Sequence, residues 1–251
     1  MSKIRKLYTV RLIGRCIIFM LCARMWLMDS EHLSPVNGGG FFAEFTVLHL
    51  LWGMWMLDML YQIVPIKAKI SLGSQKLFRF RFQPVREKIN VSALKQYIVS
   101  TTRSAYLVMV LWILLAAAIG WLSYIGFLGS AELFMITVCF YVFDLICVLI
   151  WCPFRLMMRT RCCTTCRIFN WDHLMMFTPM IFVKGFYAKS LLVMSILVWI
   201  AWEVCVLIHP ERFWEFSNEA LKCSNCTDKL CTQYCQKLHP RLSACWQKTS
   251  W

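Results

Sequence analysis

Four cysteines stand within thirteen residues near the end of this 251-residue chain: Cys223, Cys226, Cys231 and Cys235, spaced C-x2-C-x4-C-x3-C. Thiolates at such density share a metal or a cluster, or pair as disulfides. Structural zinc sites usually separate two short knuckles by on the order of 12 residues. Here only four residues separate the pairs, which is closer to the compact runs that wrap an iron–sulfur cube. The spacing therefore points to an iron–sulfur centre, with zinc and disulfides as alternatives. A second set, Cys152, Cys162, Cys163 and Cys166, lies among Arg155, Arg159, Arg161 and Arg167. Those arginines would offset the charge of a thiolate-bound cofactor or lower thiol pKa values. They also mark the cytoplasmic edge of a span. Cys16, Cys22, Cys139, Cys147 and Cys205 lie inside apolar runs and read as small apolar fillers.

Ionisable residues inside apolar runs form the other candidate site. They are Arg15, Arg24, Glu44, Asp58, Asp144 and Glu203, with His49 among them. Such residues are costly in a bilayer and face partners or water. If the chain crosses five times, depth along the spans pairs Arg24 with Glu44 or Glu203, and Arg15 with Asp58 or Asp144. At 100° per residue, Glu44 and Asp58 fall within about 40° of each other on one helix face. This pattern serves as structural ion pairs, as an ion or proton path, or as polar contacts to a quinone headgroup. His49 points away from that face and is a candidate haem or quinone ligand, with no second histidine placed for a bis-histidine haem.

These residues need a membrane bundle to position them. The chain is 59% hydrophobic, beyond the usual soluble range, and carries a net charge of +14. The fold class expected is all-α: a polytopic bundle of five or six transmembrane helices over residues 1–210, with a Cys-rich tail over 211–251. The spans are placed at 11–28, 41–64, 104–128, 131–151 and 186–208, with 168–183 undecided between a short kinked span and a re-entrant hairpin. The basic start precedes no small-residue cleavage site, so the first span reads as a retained helix. Residues 65–103 hold nine Lys or Arg against the single acid Glu87. Within them, Lys76–Phe82 alternates basic and apolar residues, which suits a strand or a membrane-surface segment, and 90–103 suits a surface amphipathic helix. The basic segments are better explained by positive-inside topology and anionic headgroups than by nucleic acid.

Lys/Arg bias places the N-terminus, 65–103 and 152–167 in the cytoplasm. If 168–183 crosses, there are six spans and the tail is cytoplasmic; if it re-enters, there are five. Lys184 and Lys189 favour five, whereas the cysteines, suited to a reducing compartment, favour six. No P-loop, G-x-G-x-x-G, H-E-x-x-H or G-x-S-x-G motif occurs. The leading expectation is a membrane subunit that anchors cysteine-ligated centres and passes electrons to or from a membrane carrier or partner subunit. The rivals are a transporter or channel-like subunit using the intramembrane charges, and a non-catalytic scaffold or assembly protein. Whether the chain is an enzyme stays open.

Overall fold

A computed structural model of the chain describes residues 3–28, 33, 36, 41–42, 45–65, 72–86, 88–160, 162–225 and 230. Its regular structure is helical, and no strand occurs among the described residues beyond one isolated bridge, Pro84 to Asn218. The helices are α1 (Lys3–Met28), α2 (Val47–Ile63), α3 (Leu72–Gln75), α4 (Val91–Tyr124), α5 (Ser130–Leu149), α6 (Phe154–Met158), α7 (Asp172–Phe177) and α8 (Phe186–Ile208). Three of them, α4, α5 and α8, are long and apolar enough to cross a membrane. The outward faces of α4 and α8 carry Tyr106, Leu107, Leu114, Val193 and Leu197, all exposed. Water would not tolerate so continuous an apolar face, whereas lipid would.

The buried positions of each helix follow its period. On α1 they are Tyr8, Arg15 and Cys22, seven residues apart, and this stripe packs on α5. On α2 they are Leu48, Leu51, Trp55 and Met59. Trp55 sits edge-on to both Tyr141 and Phe177 at the centre of the core. These spacings put one stripe of each helix inward, and ridge-into-groove packing does the rest.

The bundle has two ends. At the hairpin end, α4 stops at Tyr124, four residues short of the sequence expectation. Gly126 takes a positive φ of 79°, open to glycine, and the peptide N–H of Gly129 donates to the Glu132 carboxylate at 2.8 Å to cap α5. Trp26 of α1 donates to Glu132 at 3.1 Å, and Tyr187 at the start of α8 meets Phe134 of α5. At the opposite, loop end lie the start of α1 (Tyr8 against Leu145 and Leu149), the 152–167 loop and the close of α8.

Two local expectations fail. Residues 76–82 form no strand: Lys76 turns inward and Arg79–Arg81 is a 3-10 turn. The surface helix placed at 90–103 is instead the first third of α4. Asn90 caps it by accepting from the Ser92 and Ala93 N–H groups, and the helix then runs unbroken for 34 residues. Its length is about 51 Å, well beyond the ~30 Å apolar core of a bilayer. No proline or glycine interrupts 91–119, so nothing breaks the helix where its composition turns apolar.

The undecided segment 168–183 is a chain of short helical turns: Phe169–Trp171, α7, then the 3-10 turn Thr178–Phe182. It enters beside α2 at the loop end, where Gln62 meets Asp172 and His173. It leaves at the hairpin end, where the Phe182 ring occupies the space that a side chain at Gly120 would need. The 3-10 rise of about 2 Å per residue lets these few turns cover about 25 Å. Met175, Met176, Phe177, Pro179 and Met180 are buried, so this segment faces protein rather than lipid. As a consequence α8 starts at the hairpin end and returns to the loop end. Beyond α8 the chain docks on the basic segment: the Glu219 N–H donates to the Gln83 carbonyl at 2.7 Å, and the Gln83 N–H donates to the Asn218 side chain at 3.1 Å.

Candidate functional site

Helices α1, α2, α5 and α7 bring a charged cluster together in the loop-end half of the bundle. Arg15 donates from Nη1 to Asp144 Oδ2 at 2.6 Å and to the Tyr141 carbonyl at 2.6 Å. Its Nη2 lies 3.6 Å from Asp58 Oδ2, and the guanidinium stacks over the Tyr141 ring at 3.9 Å. On the other side of Asp58 is the buried His173, with Nε2 at 3.6 Å; its Nδ1 lies 3.2 Å from Asp172. Gln62 donates to Asp172 at 3.3 Å, and its own carbonyl oxygen is buried with no partner. Three carboxylates thus surround one guanidinium and one imidazole. The depth argument paired Arg15 with Asp58 or Asp144; the structure gives it both. Asp172 and His173 were not anticipated as partners. Their signal was present, since they are two ionisable residues opening an apolar run.

The remaining charged candidates are elsewhere. Glu203 does not meet Arg24. It holds a two-toothed pair with Arg167, one contact at 2.8 Å and the second between Arg167 Nη2 and Glu203 Oε2, and accepts from Trp171 Nε1 at 2.8 Å. Because α8 runs from the hairpin end to the loop end, Glu203 lies beside the 163–167 loop and far from Arg24, which is why depth matching missed its partner. Arg24 is exposed on α1, and Glu44 lies outside the described residues. His49 is a helix cap rather than a ligand. Its Nδ1 accepts from the Thr46 N–H at 3.0 Å, which leaves the proton on Nε2, 2.7 Å from the Phe41 carbonyl. Both ring nitrogens are committed to the backbone, so neither lone pair faces a haem.

A cavity of about 300 Å³ opens between these helices. Arg15, Asp58, Asp144 and Asp172 line it, Asp144 one helical turn from Cys147 on α5. Cys147, Cys152, Cys163 and Cys166 line it as well, and Trp112, Phe140, Phe143, Phe154 and Phe169 supply aromatic surface. Cys162 belongs to the loop set but not to this lining: its thiol is buried and donates to the Thr164 hydroxyl at 3.3 Å. Cys147 was read as an apolar filler, and the structure corrects that. Its thiol lies close enough to that of Cys152 to shift it. That neighbour, together with the peptide N–H groups of Arg155 and Phe154, holds the Cys152 thiol down at about 7. Burial drives the Cys163 thiol the other way, to about 12. No three His, Cys, Asp or Glu side chains gather as a metal site among the described residues. Of the loop thiols, Cys152, Cys163 and Cys166 line the cavity. Of the tail set, Cys226, Cys231 and Cys235 lie outside the described residues, and Cys223 contributes only its backbone, in the 3-10 turn Cys223–Asn225.

Beneath the loop, sequence reasoning also missed Lys76. It is 1% exposed, and its amine donates to the Thr164 and Cys166 carbonyls at 2.8 and 2.9 Å while facing the Trp202 and Phe213 rings. Burial pulls this amine down to about 7. It pins the cysteine turn to α8, whose Trp202 in turn donates to the Arg167 carbonyl at 2.8 Å. No family model, no curated protein and no solved structure matches this chain.

Proposed function

We propose that this chain is a membrane redox subunit whose loop-end thiols exchange electrons with a quinone-class carrier in the interhelical cavity. The observation that carries this reading is the cavity itself: four thiols, a cluster of charged side chains and aromatic surface line one space inside an apolar bundle. An apolar pocket with a few convergent polar groups is the usual form of a small-molecule site. Aromatic rings suit a flat, apolar carrier, and Arg15 with its carboxylates supplies polar contacts for the oxygens of a headgroup.

This reading takes six spans. With α1, α2 and 168–183 added to α4, α5 and α8, the chain crosses six times. The N-terminus, the basic segment, the cysteine loop and the residues after α8 then share one side, and the excess of Lys and Arg makes it the cytoplasmic side. A reducing compartment keeps thiols free and leaves Cys223, Cys226, Cys231 and Cys235 able to hold an iron–sulfur centre, with zinc as the alternative metal. Such a centre supplies one-electron transfer to or from a partner subunit. The test is anaerobic purification in detergent, with metal analysis and an absorption spectrum on one sample. Iron with labile sulfide is expected in the parent protein and is lost when Cys226 and Cys231 are both changed to Ser. Equal metal content in the two would overturn the tail assignment.

A second reading, ion or proton transport, is favoured by one observation: three carboxylates and the unpartnered Gln62 oxygen meet at the cavity. It predicts that Asp144→Asn abolishes flux in proteoliposomes while quinone reduction survives.

A further inference from the structure

The cavity wall carries a feature that the redox reading does not require. Helix α5 ends at Leu149 and the chain turns back at once. The Ile150 N–H donates to the Ile146 carbonyl at 2.8 Å, and the Trp151 N–H reaches the same carbonyl at 3.1 Å. The second bond folds Trp151 back against Ile146, so the next residue, Cys152, comes back beside Cys147, five residues earlier, and both line the cavity. Pro153 then starts α6 and prevents the helix from continuing through the reversal. Both sulfurs are free thiols, partly exposed to the cavity rather than sealed in the core. The other span cysteines do not line the cavity: Cys16 is exposed on α1, Cys22 is packed in the core, and Cys139 and Cys205 are half-buried elsewhere.

We infer that Cys147 and Cys152 are a reversible dithiol–disulfide pair that reduces the quinone-class occupant of the cavity. This rests on the redox reading for the carrier, but the pair itself stands on the helix-end geometry. The step balances as a two-electron exchange. Two S–H bonds break and one S–S bond forms, while the quinone gains two electrons and two protons and leaves as the quinol. Cys152 is the attacking sulfur. It is the thiol outside the helix, and its pKa near ambient pH is optimal for thiolate attack. Cys163, lining the same cavity and held protonated by its burial, is poised to stay out of the first exchange.

The experiment uses the full chain in detergent under argon, reduced with a phosphine and freed of excess reductant. A short-chain benzoquinone is added, quinol is followed optically, remaining thiols are alkylated, and disulfides are mapped by peptide fragmentation. The expected result is one quinol per chain with a Cys147–Cys152 bond, both lost in Cys147→Ser and Cys152→Ser but not in Cys16→Ser. The mapping on the parent protein needs no variant and so does not depend on variant folding. Two free, alkylated thiols at 147 and 152 after quinone has been reduced would overturn the pair and leave the carrier reading standing on other sulfurs. Closure of the bond by diamide, a hydrophilic azo oxidant, with none by quinone, would overturn the quinone half and the carrier reading with it. Equal quinone reduction by Cys147→Ser would also overturn the pair.

Discussion

Two buried arginines, treated differently, separate the structural part of this molecule from the part that can work. Arg167 is matched one-to-one: Glu203 takes both of its terminal nitrogens, Trp171 supplies a further donor to that carboxylate, and Arg167 is 5% exposed. Arg15 is over-supplied. It faces Asp144 and Asp58, with Asp172 one step further behind His173, and the group opens onto the cavity. A one-to-one pair in a dry site holds the 163–167 loop against α8. A cluster with excess carboxylate beside a cavity can change its proton count or its partner. The comparison teaches that burial of an arginine in this bundle says little about its role, whereas the ratio and exposure of its acids say much.

The comparison breaks most readily at Glu203. Glu203→Leu leaves the Arg167 guanidinium buried without its counter-charge, and removing one member of such a pair costs about 3–5 kcal/mol. A large drop in the detergent melting temperature is expected; a melt equal to the parent would show that the pair is not structural.

Lys76 belongs to the same sealed region and is read by pH. Its amine is at about 7 in the folded chain, against the ordinary lysine value of 10.5 that it regains when unfolded. Between those values the unfolded state holds more protons. Stability therefore rises with pH from about 7 to about 10.5 and is lost as pH falls back through 7, with a slope on the order of 1.4 kcal/mol per pH unit. The two carbonyls stay satisfied throughout, because a neutral amine still has two hydrogens to donate. Stability measured from pH 6.5 to 10 should lose this rise in Lys76→Met; the same rise in both would assign it to another group.

His49 sharpens the contrast from outside both regions. As a cap of α2, His49→Ala should cost about 1 kcal/mol and leave quinone reduction unchanged. Loss of quinone reduction at parental stability would return His49 to the site.

Asp58→Asn has the smallest expected effect on stability, at most about 1 kcal/mol, because its carboxylate is a third exposed and Arg15 keeps Asp144. Its effect belongs to the cavity: the KM for quinone should rise while the melting temperature stays. A melting shift as large as that of Glu203→Leu would erase the distinction between the two arginines.

Much of the frame was legible. Apolar runs of spanning length appear wherever the chain must meet lipid, and α4, α5 and α8 are such runs. Arg15, Asp58 and Asp144 were recognisable because charge inside an apolar run needs a partner, and helical depth limited the choice. The failures have physical reasons too. Arg24 and Glu203 share a depth only if α8 runs outward from the loop end; α8 runs the other way, which puts Glu203 at the loop end beside Arg167 and Arg24 at the hairpin end. Lys76 reads as one more basic residue of a surface segment, and nothing local announces that Trp202 and Phe213 close over it. His49 had the chemistry of a ligand, and only the return of Phe41 onto its ring nitrogen made it a cap.

The amino-acid sequence by itself determined that this chain is a helical membrane protein with its basic residues in a few segments, because hydrophobic length and charge are properties of the chain read in order. Tertiary structure alone decided that 168–183 runs from one end of the bundle to the other, that Cys147 meets Cys152, and that four thiols and three carboxylates share one cavity. Those are matters of which distant residues become neighbours, and packing among helices, not local composition, selects them.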